Sequence, residues 1–432
     1  MFHPTPIHRI PDEVVRDILL EVYEDVRYDW IDSVDYRTSL SVVCSSWQGI
    51  ILHSPAFWTH IPITLATSPS FITRQLRHSG CMETSVLFNT QSFSLQERLL
   101  EQRTTMRFRT IRDFMREVAV VILPHFGRVA CLSVICSHEV EWRMLMVSLR
   151  LARLTKLDTL SITTSTAGQL DIPLPAFSNT PHFRHLSISP SATWADTACY
   201  ENVRVLRLLG AANEQNVVWS KFHSTLSAAP MLHTLYLKSI GWRTGGEEAI
   251  PLTVDSVTEL VVDKLDPLSA HLLENLCLPN ATTLRVIAEG SFDWYTPALR
   301  QVLPFVRCLH IQLCRRTSKH VAQLLGMLPL LDTLWISASC DDVWRHVVSL
   351  AKARKLQISK VKSITTSSVV RESEAALVIA ECDEHCVLYS RVAGSDREKA
   401  QWRLNEGKLG VQVVKCTATD EVQFDAWQRN SR

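Results

Sequence analysis

The sequence predicts an α/β chain: a helical amino-terminal segment, then a solenoid with parallel strands on its concave side and helices on its convex side, then a carboxy-terminal cap. Two observations carry this. A phrase of one apolar residue, two spacers, an apolar residue, one spacer and a third apolar residue recurs through the middle of the chain. Between its copies lie apolar segments at helical spacing that stop at or near proline. A unit that repeats every two dozen residues or so cannot bury its apolar face alone and must stack on its neighbours.

The phrase reads Leu157-x-x-Leu160-x-Ile162, Phe183-x-x-Leu186-x-Ile188, Val203-x-x-Leu206-x-Leu208 and Leu232-x-x-Leu235-x-Leu237. It continues as Val257-x-x-Leu260-x-Val262, Ala281-x-x-Leu284-x-Val286, Val306-x-x-Leu309-x-Ile311 and Leu331-x-x-Leu334-x-Ile336, and a weaker copy, Val129-x-x-Leu132-x-Val134, precedes them. The central leucines fall 20 to 29 residues apart. Strand residues alternate faces, so Leu160 and Ile162 point inward and Ser161 outward. The connecting segments AHLLENLCLP, TPALRQVLPF and SKHVAQLLGMLP read as helices, because proline ends a helix and favours extended backbone just before it.

Four regions follow: a helical segment at 7–62, a bridging segment at 63–124, the repeats at 125–358 and a cap with tail at 359–432. In the first, Pro11 suits a helix start, and Asp12 and Glu13 place negative charge at that helix's positive end. Val14, Ile18, Leu19 and Val22 follow along one side. Leu40, Val43, Cys44, Trp47 and Ile50 recur at spacings of three and four, and Phe57, Trp58 and Ile61 close the segment. So small a unit buries too little surface to stand comfortably alone, and some of these residues are expected to meet a partner. In the bridge, Leu99, Met106, Ile111, Phe114, Met115 and Val118 recur at helical spacing, and Ser85–Phe88 is a candidate extra strand. In the cap, KSITTSSVVRESE reads as a loop. Ala376–Ala380, Cys386–Val392 and Val411–Cys416 read as strands, and the residues from Asp420 as a fraying end.

Composition excludes several classes. The 432 residues are 46% hydrophobic with a net charge of +1, so no basic excess argues for nucleic acid or a lipid surface. Only 13 residues are glycine, which disfavours phosphate-cradling loops. The 12 cysteines are scattered in apolar runs and read as small core residues. No leader or membrane-length apolar run is evident, which points to a reducing compartment, cytoplasm and/or nucleus. Asn280-Ala281-Thr282 is a chance sequon in that setting.

The motifs for chemistry are incomplete. Cys382-x-x-His385-Cys386 lacks a second ligand pair for zinc. His138-Glu139 begins a zincin helix, but Trp142 stands where the second histidine belongs. GWRTGGEE at 241–248 lacks the lysine of a phosphate loop and reads as a surface turn. No catalytic residue, cofactor or metal is expected. The residues between the last two inward positions of each strand are Ser161, Ser187, Arg207, Tyr236, Val261, Arg285, His310 and Trp335. Parallel stacking would align them in an outward ladder. Arg207, Tyr236, Arg285, His310 and Trp335 are candidate partner contacts, since these types are frequent at binding hot spots. The ladder holds no acid, which hints at a polar or acidic partner segment.

The repeated phrase resembles the leucine-rich repeat family, without its asparagine ladder: the matching places hold Ser165, Ser191 and Leu265. The amino-terminal segment resembles the F-box. Ile10-Pro11-x-Glu13 matches the family's Leu-Pro-x-Glu, Val43-Cys44-x-x-Trp47 its Val-Cys-x-x-Trp, and Phe57-Trp58 its late Leu/Phe-Trp. The family's Asp-Leu aligns with Tyr36-Arg37, and the loop Glu24 to Ser33 is longer than usual. The phrase LRHSG at 76–80 with the run Ser85 to Asn89 resembles the segment after the F-box in large fungal F-box families. The resemblance implies a substrate-recognition subunit of a Skp–cullin–F-box ubiquitin ligase. In it Ile10, Pro11, Val14, Ile18, Leu19, Leu40, Val43, Cys44, Trp47, Ile50, Phe57 and Trp58 would meet the Skp-type adaptor, and through it a cullin, while the repeats hold a target protein. Two alternatives stay open: an F-box scaffold outside ubiquitination, and an enzyme on an α/β framework.

Overall fold

The structure is a computed structural model. It describes residues 10–26, 30–64, 67–89, 111–136, 145, 147, 154–164, 170–172, 180, 182–188, 192–194, 200–210, 216–217, 219–239, 241–242, 251–264, 270–288, 299, 302–313, 321–336, 341–352, 359–370, 374, 377–378, 380 and 387–392. The fold is mixed α/β, with long ladders of parallel strands and helices between them. Two compact units divide the chain, Met1–Asn202 and Val203–Ser431.

The first unit opens with α1 (Asp12–Val26), α2 (Trp30–Ser41), α3 (Ser45–His53) and a 3-10 turn at Pro55–Trp58. The Pro11 carbonyl accepts from the backbone N–H of Val14 at 3.0 Å and of Val15 at 3.1 Å, so Pro11 stands just outside the first turn. Residues four apart share a helix face. Val15, Leu19 and Tyr23 therefore point together into a core completed by Leu40, Ile51, Phe57 and Trp58. The Tyr23 and Phe57 rings lie 5.5 Å apart within it.

The 3-10 turn passes without a linker into β1 (His60–Thr64). Then come α4 (Pro69–His78), β2 (Thr84–Asn89), α5 (Ile111–Ile122), β3 (Val129–Cys136), β4 (Thr159–Thr164) and β5 (His185–Ile188). These five strands pair in chain order, all parallel. Ile61, Val86, Leu132, Leu160 and Leu186 fall in one register row. Trp58-x-x-Ile61-x-Ile63 is thus a copy of the phrase hidden inside the helical segment, and Ser85–Phe88 lies on the extra strand β2. Residue 62 falls inside β1.

Local chemistry fixes α4 at both ends. Ser68 accepts from Phe71 N–H at 3.2 Å as an N-cap. Gly80, just past the end, has φ +59, a left-handed value that glycine adopts without strain. Arg128, at the foot of β3, donates to the Leu76 carbonyl at 2.7 Å, to Ser79 Oγ at 2.9 Å and to the Gly80 carbonyl. LRHSG is therefore a helix end that an arginine from the next strand holds in place.

The second unit carries β6 (Val205–Leu209), α6 (Trp219–Ser227), β7 (Thr234–Lys238), β8 (Glu259–Asp263), α7 (Ala270–Glu274), β9 (Thr283–Ala288) and β10 (Cys308–Leu313). It continues with α8 (Val321–Gly326), β11 (Thr333–Ile336), α9 (Asp341–Lys352), β12 (Ser363–Val370) and β13 (Val387–Val392). Its strands also pair in chain order and in parallel. Leu206, Leu235, Leu260, Leu284, Leu309, Leu334, Ile364 and Leu388 form one row. No phrase residue between Val129 and Ile336 is more than 3% exposed, and burying each such side chain is worth about 1.5–3 kcal/mol.

A backbone clamp fixes this register. At five places, Asp158, Arg204, His233, Thr282 and Arg307, the carbonyl two residues before the central leucine accepts two N–H groups from the next copy. Arg204 takes those of His233 and Thr234 at 2.7 and 2.9 Å, and Arg307 takes those of Asp332 and Thr333 at 2.8 and 3.0 Å.

Several expectations change. KSITTSSVVRESE is not a loop, since its first part forms β12 and buries Val361 and Ile364. The phrase fails there only at its third place, Thr366, and a Thr/Ser/Val run suits a strand. Leu377 and Val378 are helical rather than extended. AHLLENLCLP forms a five-residue helix, after which Leu276–Cys277 pairs with Leu252–Thr253. TPALRQVLPF keeps a 3-10 turn at Leu303–Phe305, while SKHVAQLLGMLP supplies α8. Cys386–Val392 contains β13. Leu99, Met106, Val411–Cys416 and the residues from Asp420 lie outside the described residues.

Candidate functional site

Two surfaces stand out, one in each unit. On α1 the helical period splits the apolar residues that the sequence placed on a single side. Leu19 turns inward, whereas Val14, Ile18 and Val22, each four residues from the next, form an exposed stripe, and Ile10 just ahead of the helix is exposed as well. Val42 and Val43, between α2 and α3, are also exposed, and so is Pro11. Cys44, Trp47 and Ile50 are half-buried. Leu40, Phe57 and Trp58 are buried with Leu19, so these four hold the helices together instead of meeting a partner.

Sequence reasoning missed Arg37. It is buried, and it donates to the Phe57 carbonyl at 3.0 Å through Nη1. The Gln75 amide, oriented to satisfy its neighbours, accepts from Arg37 Nη2 at 2.8 Å and donates to the His60 carbonyl at 3.2 Å. The guanidinium carbon lies 4.2 Å from the Trp58 ring centroid. Burial, with the nearby Arg74 charge, pushes its pKa down. The Trp58 indole also stacks on His78 at 4.4 Å and donates its N–H to the Ile51 carbonyl at 2.8 Å. Tyr36 packs on the helical core. The Tyr36-Arg37 pair thus fastens α2 to the 3-10 turn, β1 and α4. Its only sequence signal was a charged residue within an apolar helical pattern.

The outward ladder exists in the register expected. Ser161 pairs with Ser187 in the first unit. In the second, Arg207, Tyr236, Val261, Arg285, His310 and Trp335 stand in one row, which continues to Thr365 and Tyr389. The row is not uniformly open, because Tyr236 is 1% exposed and Val261 0%. Flanking rows explain part of this. The Tyr236 hydroxyl donates to Asp263 Oδ2 at 2.5 Å, Lys238 Nζ lies 3.6 Å from the same oxygen, and the Arg207 guanidinium stands over the Tyr236 ring at 5.9 Å. Arg285 Nε meets Glu259 Oε1 at 2.6 Å, and Thr234 donates to Glu259 Oε2 at 3.0 Å.

The acids absent from the row itself sit two residues to either side of Val261 on β8, and Glu259 pairs with the row's Arg285. His310 stacks on Trp335, with centroids 4.8 Å apart and planes 7° apart. Burial, aided by the Arg285 charge, holds the His310 imidazole at about 3, so it is neutral at physiological pH. Burial likewise pushes the Cys308 thiol up to about 11. A neutral imidazole beside a protonated thiol is the reverse of an activated nucleophile pair.

Among the described residues, no three His, Cys, Asp or Glu side chains are placed to share a metal ion, and no helix is long and apolar enough to cross a membrane. Cys382, His385, Cys386, His138, Glu139 and most of GWRTGGEE lie outside the described residues. The chain is thus a mixed α/β protein built on two parallel ladders, with an apolar stripe on its first helix and a polar-aromatic row on its second ladder. No protein-family model matches it, and no curated protein matches it.

Proposed function

We propose that this chain is the substrate-recognition subunit of a Skp–cullin–F-box ubiquitin ligase. In this reading α1–α3 are the F-box, and the ladders are a leucine-rich-repeat-like solenoid that holds a target protein. The observation that carries it is the stripe of Val14, Ile18 and Val22 on α1, with Ile10 exposed just ahead of it, on a helix whose opposite side is already packed. An apolar stripe left in water beside Val42 and Val43 marks a protein interface. Ahead of a ladder of repeated Leu-rich strands, a Skp-type adaptor is the partner that fits the Ile-Pro-x-Glu and Val-Cys-x-x-Trp phrases. The chain itself makes or breaks no bond. It works in the cytoplasm or nucleus by tethering, which raises the effective concentration of target lysines near the ubiquitin-charged enzyme.

The test is co-elution of the full chain with a Skp-type adaptor. Val14→Asp combined with Ile18→Asp is expected to abolish the complex without unfolding the chain, since these side chains are 46% and 52% exposed. A complex that survives both changes would overturn the assigned surface. Adaptor binding without ubiquitin transfer in a reconstituted ligase would favour a scaffold role instead.

A further inference from the structure

The tetrapeptide Leu-Asp-Thr-Leu occurs twice, at 157–160 and 331–334, and folds the same way each time. Thr159 Oγ1 donates to Asp158 at 3.1 Å, and Thr333 Oγ1 donates to Asp332 at 3.0 Å. Strand residues two apart share a face, so Thr333 lies on the same side of β11 as Trp335. Its hydroxyl donates to the Asp332 carboxylate, so that carboxylate is tied to a side chain on the indole's side of the strand. The first copy is followed by Ser161, and its Asp158 has His185 at 3.9 Å. The second is followed by Trp335, and Asp332 has no ion-pair partner among the described residues.

Asp332 and Trp335 are both half-buried, so each keeps some surface for a ligand. His310 backs the indole as a neutral ring, and Arg285 is held by Glu259. Among the described residues, the Asp332 carboxylate has no counter-ion, and the ring stacked on the Trp335 indole is the neutral His310. An aromatic face beside a carboxylate suits a cation.

We propose that the shelf at Trp335 and Asp332 takes a basic side chain, arginine or lysine, of an extended segment of the target protein, seated over the Trp335 indole with its charge toward Asp332. The inference rests on the reading of the ladder face as the target surface and names the chemistry it selects.

The probe is fluorescein-labelled hexa-arginine, with hexa-glutamate as comparator, read by anisotropy against the full chain. Hexa-arginine is expected to bind and hexa-glutamate to fail. Asp332→Asn and Trp335→Leu should each weaken binding about tenfold, and Trp335→Phe should retain most of it, because phenylalanine keeps the aromatic face. Asp158→Asn, the same turn without the indole, should change nothing. Trp335→Phe and Asp332→Asn keep the test informative if Trp335→Leu fails to fold. Equal binding of hexa-glutamate, or binding unchanged in both Asp332→Asn and Trp335→Leu, would overturn the proposal. A parallel readout separates the two levels. If proteins that co-purify with the full chain and adaptor are lost in Trp335→Leu while hexa-arginine is unaffected, the ladder face is the target surface but selects another chemistry. If they persist through Trp335→Leu, Asp332→Asn and Arg285→Ala, the ladder-face reading itself falls.

Discussion

Arg37 shows how much one side chain can fasten. Its guanidinium ties the Phe57 carbonyl and the Gln75 amide together from within a buried site. Arg37→Met would leave those acceptors unmatched, and buried unmatched polar groups cost about 1–3 kcal/mol each. Urea unfolding is expected to show a loss of about 2–3 kcal/mol, and Arg37→Lys should not restore it, since an ammonium cannot reproduce the planar fork. His310 yields a pH prediction. An unfolded imidazole titrates near 6.5, but the folded one is held at about 3 by burial, then by Arg285. Between those values the unfolded chain binds the extra proton, so the contribution is complete above pH 6.5 and drains away as pH falls. The melting temperature of His310→Phe should therefore gain on the wild type as the buffer moves from pH 7.5 to 5. Cys308 offers a third check. With its thiol pushed up to about 11, iodoacetamide should spare it in the native chain while modifying the exposed Cys81.

Among the elements, strands were far more legible than helices. Every copy of the phrase from Val129 to Ile336 lies on a paired parallel strand or its approach, because a period-two pattern with fixed spacing leaves one register that buries all three places. Leu260→Ala should cost about 2–5 kcal/mol, whereas Ser161→Ala, on the outward side, should stay within about 0.5 kcal/mol. A comparison of the two denaturation midpoints decides it. Two further copies break the pattern once each, at Glu83 before β2, where the sequence offers only a candidate strand, and at Thr366 in β12, where it reads as a loop. The Trp58 copy was hidden differently, since its first place also belongs to the helical core. Helical segments were overread because apolar residues at spacings of three and four also fit short turns and extended pairs, as at Leu276–Cys277. On α1 the spacing gives the helical period but not which side is buried. Only the packed partners Tyr23 and Phe57 show that Leu19 faces inward while Ile18 does not. The outward row could be read by residue number, but the acids flanking it could not, since they answer it from neighbouring strands.

At the scale of the molecule, the first unit makes the helical segment and its ladder one body. Ile61 and Ile63 of β1 are buried, and the Gln75 partner of Arg37 lies beyond the segment's expected end. Residues 7–62 expressed alone should therefore lack a cooperative melt, while the full chain keeps one for this region. Hydrogen exchange at Ile51 and Ile61 is the measurement.

The helical trio runs straight into its first strand, with no swivel between them. A receptor built this way would aim like a bracket rather than a crane arm. On the proposed function, an adaptor held by the helices would keep a fixed angle to the first unit's own ladder, because this joint has no slack.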